Sequence, residues 1–174
     1  IAEKYGAEVP FMRPKKLSQD STLVKEVIEH GINFLQKKKI KFKYVCCIYA
    51  TAPLVQISDI KKGFTKIKSQ WKYVFSACKF EKSIMRSFIL DNQQKTKYLL
   101  SSYHDTNTQD LPNTYFDAGQ FYWMHKKDWL RKKISSLRGT IILIGSKYVQ
   151  DFDNKEDLKI LKEKYKKIYK NNGI

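Results

Sequence analysis

The sequence predicts an α/β domain of three layers built on a mainly parallel sheet. Two observations carry this expectation. Helical and strand periodicities alternate along the chain, and Tyr44 to Tyr49 is an uninterrupted apolar run, the pattern of a strand covered on both faces. The chain has 174 residues, the size of one ordinary domain, with no internal repeat, low-complexity block or linker.

The elements follow in order. Ile1 to Tyr5 reads as a last helical turn closed by Gly6, with Ala7 to Phe11 leading out as a short extended piece. Val24, Val27, Ile28, Gly31 and Leu35 form one apolar helical face. After the strand at 44 to 49, Ser58 is placed to cap a helix striped by Ile60, Phe64 and Ile67. Tyr73 to Cys78 reads as the next strand. From Glu81 to Pro112 periodicity fades into polar and turn residues, an excursion from the sheet with one short strand at Tyr98 to Leu100. Order returns with a strand at Gly119 to His125, a short helix at Lys127 to Lys133 and a strand at Thr140 to Ile144. The last helix is capped by Asn154, with Asp157 three positions on, and carries the stripe Leu158, Leu161, Tyr165 and Ile168.

Composition narrows the function classes. No apolar run reaches the length of a membrane span and no signal pattern opens the chain, so a cytoplasmic, membrane-free protein is expected. Cys46, Cys47 and Cys78 lack metal-ligand spacing and sit in strand-like runs, as small buried hydrophobes in a reducing compartment do. The formal charge of +17 invites a nucleic-acid reading. Against it, only Arg13, Arg86, Arg131 and Arg138 among the 34 basic residues carry the bidentate fork that base readers use. Scattered lysines are better read as a solvated surface able to draw in an anionic nucleotide or sugar acid.

The candidate motifs follow strand ends, where open α/β sheets bind ligands. Tyr49-Ala50-Thr51-Ala52-Pro53 leaves the strand at 44 to 49, and Gln150 to Asp157 (QDFDNKED) follows a short extended run. In extended backbone Asp151 and Asp153 point to one side, so both carboxylates can face a hard cation such as Mg²⁺ while Phe152 turns to the core. Two acids opening a helix also favour its macrodipole without any metal, and spacing alone leaves both readings open. Asp117 to Trp123 (DAGQFYW) joins a small residue, an amide and an aromatic run; by pattern alone such a run is commonly core. His30, His104 and His125 have no mutual spacing that suggests a site.

Taken together, DAGQFYW, QDFDNKED, the Tyr49 to Pro53 loop, Arg13-Pro14 with Leu17 and Asp20, and Gln109-Asp110-Leu111-Pro112 resemble the acylneuraminate/pseudaminic acid cytidylyltransferase family, the AGQFYW version being most similar to the pseudaminic acid branch. The resemblance implies a Rossmann-like nucleotide-diphospho-sugar transferase fold. It implies transfer of CMP from CTP to a nine-carbon acidic sugar with release of pyrophosphate, for surface glycan or flagellin glycosylation. Mg²⁺ would be the cofactor, held by Asp151 and Asp153 as catalytic residues. Substrate contacts would come from Arg13, Thr51, Arg86, Gln109, Asp117, Gln120, Phe121 and Tyr122, with Arg86 meeting the sugar carboxylate and Gln120 a sugar hydroxyl or N-acyl group. A homodimer is implied, formed through the 84 to 116 excursion.

The resemblance also implies that residues 1 to 174 are one partial, N-terminally truncated domain. The family's first strand and triphosphate-cradling loop have no counterpart here, so this chain alone is expected to be inactive and to present a free strand edge at Tyr44 to Tyr49. Asn107 stands where the pseudaminic branch tends to have arginine, Ala50 where proline is usual, and Asn154 where threonine is. A non-catalytic relative acting as an interaction module stays open as an alternative, and a basic nucleic-acid binder as a more distant one.

Overall fold

The computed structural model describes residues 1–131, 138–152 and 154–169. The chain divides into two compact units, Ile1–Val45 with Met124–Leu137, and Cys46–Trp123 with Arg138–Ile174.

In the first unit a 3-10 turn at Glu3–Tyr5 ends on Gly6 in the left-handed region (φ 83°), the expected closure. Helix α1, Val24–Lys37, starts where the Glu26 carboxylate accepts a hydrogen bond from the Leu23 N–H (3.1 Å), satisfying one orphan donor. Phe11 packs on α1 against His30 and Phe34, with ring centroids 5.0 and 4.7 Å apart. The Phe11 ring also lies over Gly31, where a Cβ would stand 3.5 Å from its Cζ, in ordinary van der Waals contact. The short helix α3, Lys126–Trp129, holds Asp128 fully buried. Arg131 Nε lies 2.9 Å from Asp128 Oδ1, an ion pair by distance that is not aligned as a hydrogen bond. The helix expected at Lys127 to Lys133 begins one residue earlier and ends at Trp129; residues 132 and 133 of that expectation lie outside the described residues.

The main sheet contains β1 (Tyr44–Ile48), β2 (Tyr73–Lys79), β5 (Tyr115–His125) and β6 (Gly139–Leu143), in the order β1-β5-β2-β6. β2 and β6 pair in parallel, from Tyr73 opposite Gly139 to Ala77 opposite Leu143. β5 runs against its neighbours. The Lys126 N–H meets the Lys43 carbonyl at one end while Tyr49 N–H meets Gln120 carbonyl further along, and Phe80 N–H meets Thr114 carbonyl beside β2. Three of the four strands therefore share a direction.

β1 lies at the sheet's edge, with four residues half-buried and Ile48 exposed. The expectation that this run is buried on both faces is corrected, since its residues are half-buried or exposed.

Helix α2, Ile57–Ile67, packs against β2 and β6. Ser58 is not its cap. The helix begins one residue earlier, and Gln56 before it spends its amide on the Leu54 carbonyl (2.7 Å) and the Tyr169 hydroxyl (2.9 Å). Gly63 is required by close packing, because a Cβ there would lie 2.7 Å from Trp123 Cδ1 and 3.0 Å from Phe121 Cε2. Helix α4, Lys155–Tyr169, starts as the sequence foretold. Asn154 Oδ1 accepts from the N–H groups of Glu156 and Asp157, and Asp157 returns a bond to Asn154 N–H, a complete capping box.

The excursion folds as an antiparallel hairpin of β3 (Phe88–Leu90) and β4 (Thr96–Tyr98). Its turn is organised by Asp91, whose Oδ1 accepts from Gln93 and Lys95 N–H. β3 was not legible in the sequence, and β4 begins two residues before the expected strand.

Candidate active site

The DAGQFYW segment lies on β5 and is bent by a bulge. Gly119 adopts φ 62°, which a side chain would strain, and its N–H donates to Asp117 Oδ1 (2.9 Å). Beyond the bulge the alternation of faces shifts. Asp117 and Tyr122, five residues apart and on opposite faces of a regular strand, consequently meet: the Tyr122 hydroxyl donates to the Asp117 carboxylate at 2.9 Å. The bulge also turns two successive N–H groups, of Gln120 and Phe121, toward Ser76 Oγ on β2 (3.1 and 3.2 Å). Ser76 is fully buried, so its hydroxyl is what satisfies them.

Around Tyr122 the sheet carries an aromatic face. Tyr73, Phe75 and Tyr122 stack within 15° of parallel, and the Tyr49 ring lies 5.3 Å from Tyr122. Burial pushes the Tyr122 hydroxyl well above its ordinary range, with the hydrogen bond to Asp117 and its negative charge adding to the effect. Burial and then Asp117 raise Tyr73 in the same way, and Tyr49 is raised chiefly by burial. These phenols are hydrogen-bonding groups and not proton donors at neutral pH. Cys46 nearby is pushed up to about 12, by burial first and then by Cys47.

Phe121 and Gln120 depart from their sequence assignments. Phe121 is 0% exposed and lies under Gly63 of α2, so it belongs to the core and walls no pocket. Gln120 is 2% exposed, and its Nε2 donates to the Tyr148 carbonyl at 2.6 Å. Its amide therefore holds protein backbone in place of a sugar group.

Tyr148 closes a 3-10 turn, Ser146–Tyr148, just after β6, and Asp151 follows three residues later. The Asp151 carboxylate is exposed and comes back beside the bulge, its Oδ1 3.7 Å from where a Cβ on Gly119 would stand. Asp153 lies outside the described residues. Phe152, expected in the core, is 38% exposed, because the chain leaves the sheet before it. Asp151 suits a hard cation: an exposed oxygen donor in the loop after β6, with no hydrogen bond to its carboxylate among the described residues. Among the described residues, no cluster of three or more acidic, histidine or cysteine side chains forms a closed metal cage.

Arg86 sits elsewhere, in a cleft of about 690 Å³ that the excursion builds beyond β2. Lys79, Lys82 and His104 line it with Arg86, against one acid, Glu81. Arg86 donates to Thr108 Oγ1 at 2.7 Å, which orients the guanidinium and leaves other donors for a ligand. His104 is held by Asp105 (2.8 Å) and the Tyr98 hydroxyl (3.1 Å). Gln109 is exposed in the 3-10 turn Thr108–Asp110, next to the lining residue Thr108. A smaller hollow of about 230 Å³ shares Lys79, Phe80 and Glu81 with the cleft and reaches Ser146 and Val149, two residues before Asp151.

Thr51 is exposed in the turn after β1, a turn held by the Ala52 N–H to Tyr49 carbonyl bond (3.1 Å). Arg13 belongs to the first unit, where its Nε donates to Ser18 Oγ (3.1 Å). Nothing in the sequence pointed to Ser76, Tyr148 or Lys164, whose Nζ donates to the Val149 carbonyl at 2.6 Å, since each acts through a contact distant in the chain.

The cytidylyltransferase family model matches residues 1–173. The chain belongs to the cytidylyltransferase family. It is thereby a nucleotidyltransferase with an α/β nucleotide-sugar transferase fold. The pseudaminic acid cytidylyltransferase of Campylobacter jejuni subsp. jejuni serotype O:2 is 35% identical over 168 residues, covering 95% of this chain and 72% of that protein. Its serotype O:23/36 counterpart is 34% identical over the same shares. A Helicobacter pylori protein, pseudaminic acid cytidylyltransferase and UDP-2,4-diacetamido-2,4,6-trideoxy-beta-L-altropyranose hydrolase, is 32% identical over 70% of this chain and 23% of its own length. Among the described residues no helix is long and apolar enough to cross a membrane.

Proposed function

We propose that the protein transfers CMP from CTP to pseudaminic acid, a nine-carbon sugar acid, and releases pyrophosphate. The observation that carries this reading is the Arg86 cleft. It is a basic hollow of about 690 Å³, open to an anionic sugar and sharing walls with the hollow that leads toward Asp151.

The sugar's anomeric hydroxyl attacks the α-phosphorus in line as the bond to the pyrophosphate oxygen breaks. Positioning supplies much of the rate in such a transfer. Arg86, oriented by Thr108, pairs with the sugar carboxylate through its planar fork, and Lys79 and Lys82 add positive charge. Asp151, with Asp153 by resemblance, would hold Mg²⁺, which when bound neutralises charge on the phosphates. Tyr122 and Asp117 form a fixed polar edge beside the bulge, available to a hydroxyl of the nucleotide or sugar. Thr51 and Gln109 remain substrate contacts in this reading.

The excursion exposes Phe88, Ile89, Leu90, Leu99 and Leu100, which supports a homodimer formed through the hairpin. The activity fits a cytoplasmic setting and a product destined for surface glycan or flagellin. The test uses the complete gene product, CTP, Mg²⁺ and pseudaminic acid. Pyrophosphate release that Asp151→Ala abolishes is expected. No release by folded protein with several nine-carbon sugar acids would overturn the reading.

A further inference from the structure

The loop that carries Asp151 is held by two part-buried hydrogen bonds to its backbone, one from the Gln120 amide beside the bulge and one from Lys164. We infer that Gln120 is a positioning residue for the metal-binding carboxylate, acting through the Tyr148 carbonyl, and not a substrate contact. The inference rests on the reading that Asp151 holds the divalent cation.

Gln120 itself has no freedom. Its N–H is bound to Ser76 Oγ, its carbonyl accepts from Tyr49 N–H, and its side chain is 2% exposed. The atom facing the Tyr148 carbonyl at 2.6 Å has to be the amide nitrogen, because two oxygens at that distance would repel. Oε1 is buried with no protein partner, so this one short bond fixes the amide. Removing the buried Gln120 donor leaves the part-buried Tyr148 carbonyl without this short bond, a cost set by how far water can reach it.

On the other side of Tyr148, Lys164 of α4 donates to the neighbouring Val149 carbonyl. Sheet and helix thus clamp consecutive carbonyls, and the chain emerges from this clamp at Gln150 and Asp151. The Asp151 carboxylate returns to Gly119, the residue immediately before Gln120. Bulge, amide and carboxylate form one closed circuit of contacts. Groups that orient a metal ligand without touching the metal commonly govern its affinity, by ~10–100-fold.

The test is Mn²⁺ affinity, followed by the electron paramagnetic resonance signal of the free ion, with the thermal midpoint recorded in parallel. Asp151→Asn is expected to lower the affinity strongly; if it leaves the affinity unchanged, the metal reading itself fails. Gln120→Leu keeps the bulk, removes the donor, and is expected to weaken Mn²⁺ about ten-fold. In the Asp151→Asn background the same substitution should change Mn²⁺ affinity no further, although any loss of thermal stability should persist. A merely structural glutamine would move the midpoint and leave Mn²⁺ affinity alone, and that result overturns the inference. Should Gln120→Leu fail to fold, Lys164→Met releases the other half of the clamp from a half-buried helix position. It should weaken Mn²⁺ by a smaller factor, and unchanged affinity there would count against the clamp.

Discussion

The bulged end of β5 and the hairpin excursion are both rich in apolar and aromatic residues, yet they are built in opposite ways. At the bulge the backbone is tied down: Ser76 takes the N–H groups of Gln120 and Phe121, Asp117 takes that of Gly119, the Gln120 amide holds Tyr148, and Gly63 makes room for the buried Phe121 and for Trp123. In the hairpin, Phe88, Ile89 and Leu90 are exposed, and polar contacts such as Arg86 to Thr108 cross an open cleft. The difference assigns separate tasks. The core end fixes the position of Asp151, while the excursion supplies a recognition surface whose residues can change without endangering the fold.

The largest expected effect is at Phe121. Phe121→Ala should destabilise by about 4 kcal/mol, as truncation of a buried phenylalanine does, measured by denaturant unfolding. Comparable truncation of Phe88 in the hairpin should cost less than about 1 kcal/mol, and equal costs would break the contrast. Ser76→Ala comes next at about 2 kcal/mol, because it strands two buried N–H groups on the bulge. Gly63→Ala should cost a similar amount by overpacking against Trp123.

A smaller effect follows from alkali. Cys46 and the Tyr122 and Tyr73 hydroxyls have folded pKa values above their ordinary 9.0 and 10.0, so the folded state prefers the protonated form. Their contribution is fully present below about pH 9 and is lost as pH rises toward and beyond 12. The urea midpoint should therefore fall above pH 9, and Tyr122→Phe should flatten the upper part of that slope. A midpoint that rises with pH over this range would contradict the burial of these groups.

Much of this was legible in the sequence where local chemistry decides the outcome. Asn154 and Asp157 announced their capping box because both partners lie within one turn, and Gly6 and Asp91 did the same for their turns. Asp151 was named from the sequence as a carboxylate following a short extended run, but much of that run is the 3-10 turn Ser146–Tyr148. The sequence misled where the answer depends on a distant partner. Tyr44 to Tyr49 reads as a strand buried on both faces because an unbroken apolar run carries no sign of how far its neighbours cover it, and in the structure its residues are half-buried or exposed. Ser58 lost its capping role to Gln56, whose partner Tyr169 is far along the chain. Gln120 and Phe121 look like pocket residues in one dimension, but the bulge at Gly119 determines which face each one joins, and it sends Phe121 to the core.

The division of labour is tested most directly by pyrophosphate release from the complete gene product, with sugar acid and Mg²⁺ varied independently. Arg86→Ala removes charge-assisted hydrogen bonds of about 1.5–3 kcal/mol and should raise the KM for pseudaminic acid at least ten-fold while leaving the Mg²⁺ dependence unchanged. Gln120→Leu should shift the Mg²⁺ dependence and leave the sugar KM in place. If both substitutions move the same parameter, the separation between a core-built metal side and an excursion-built sugar side is wrong.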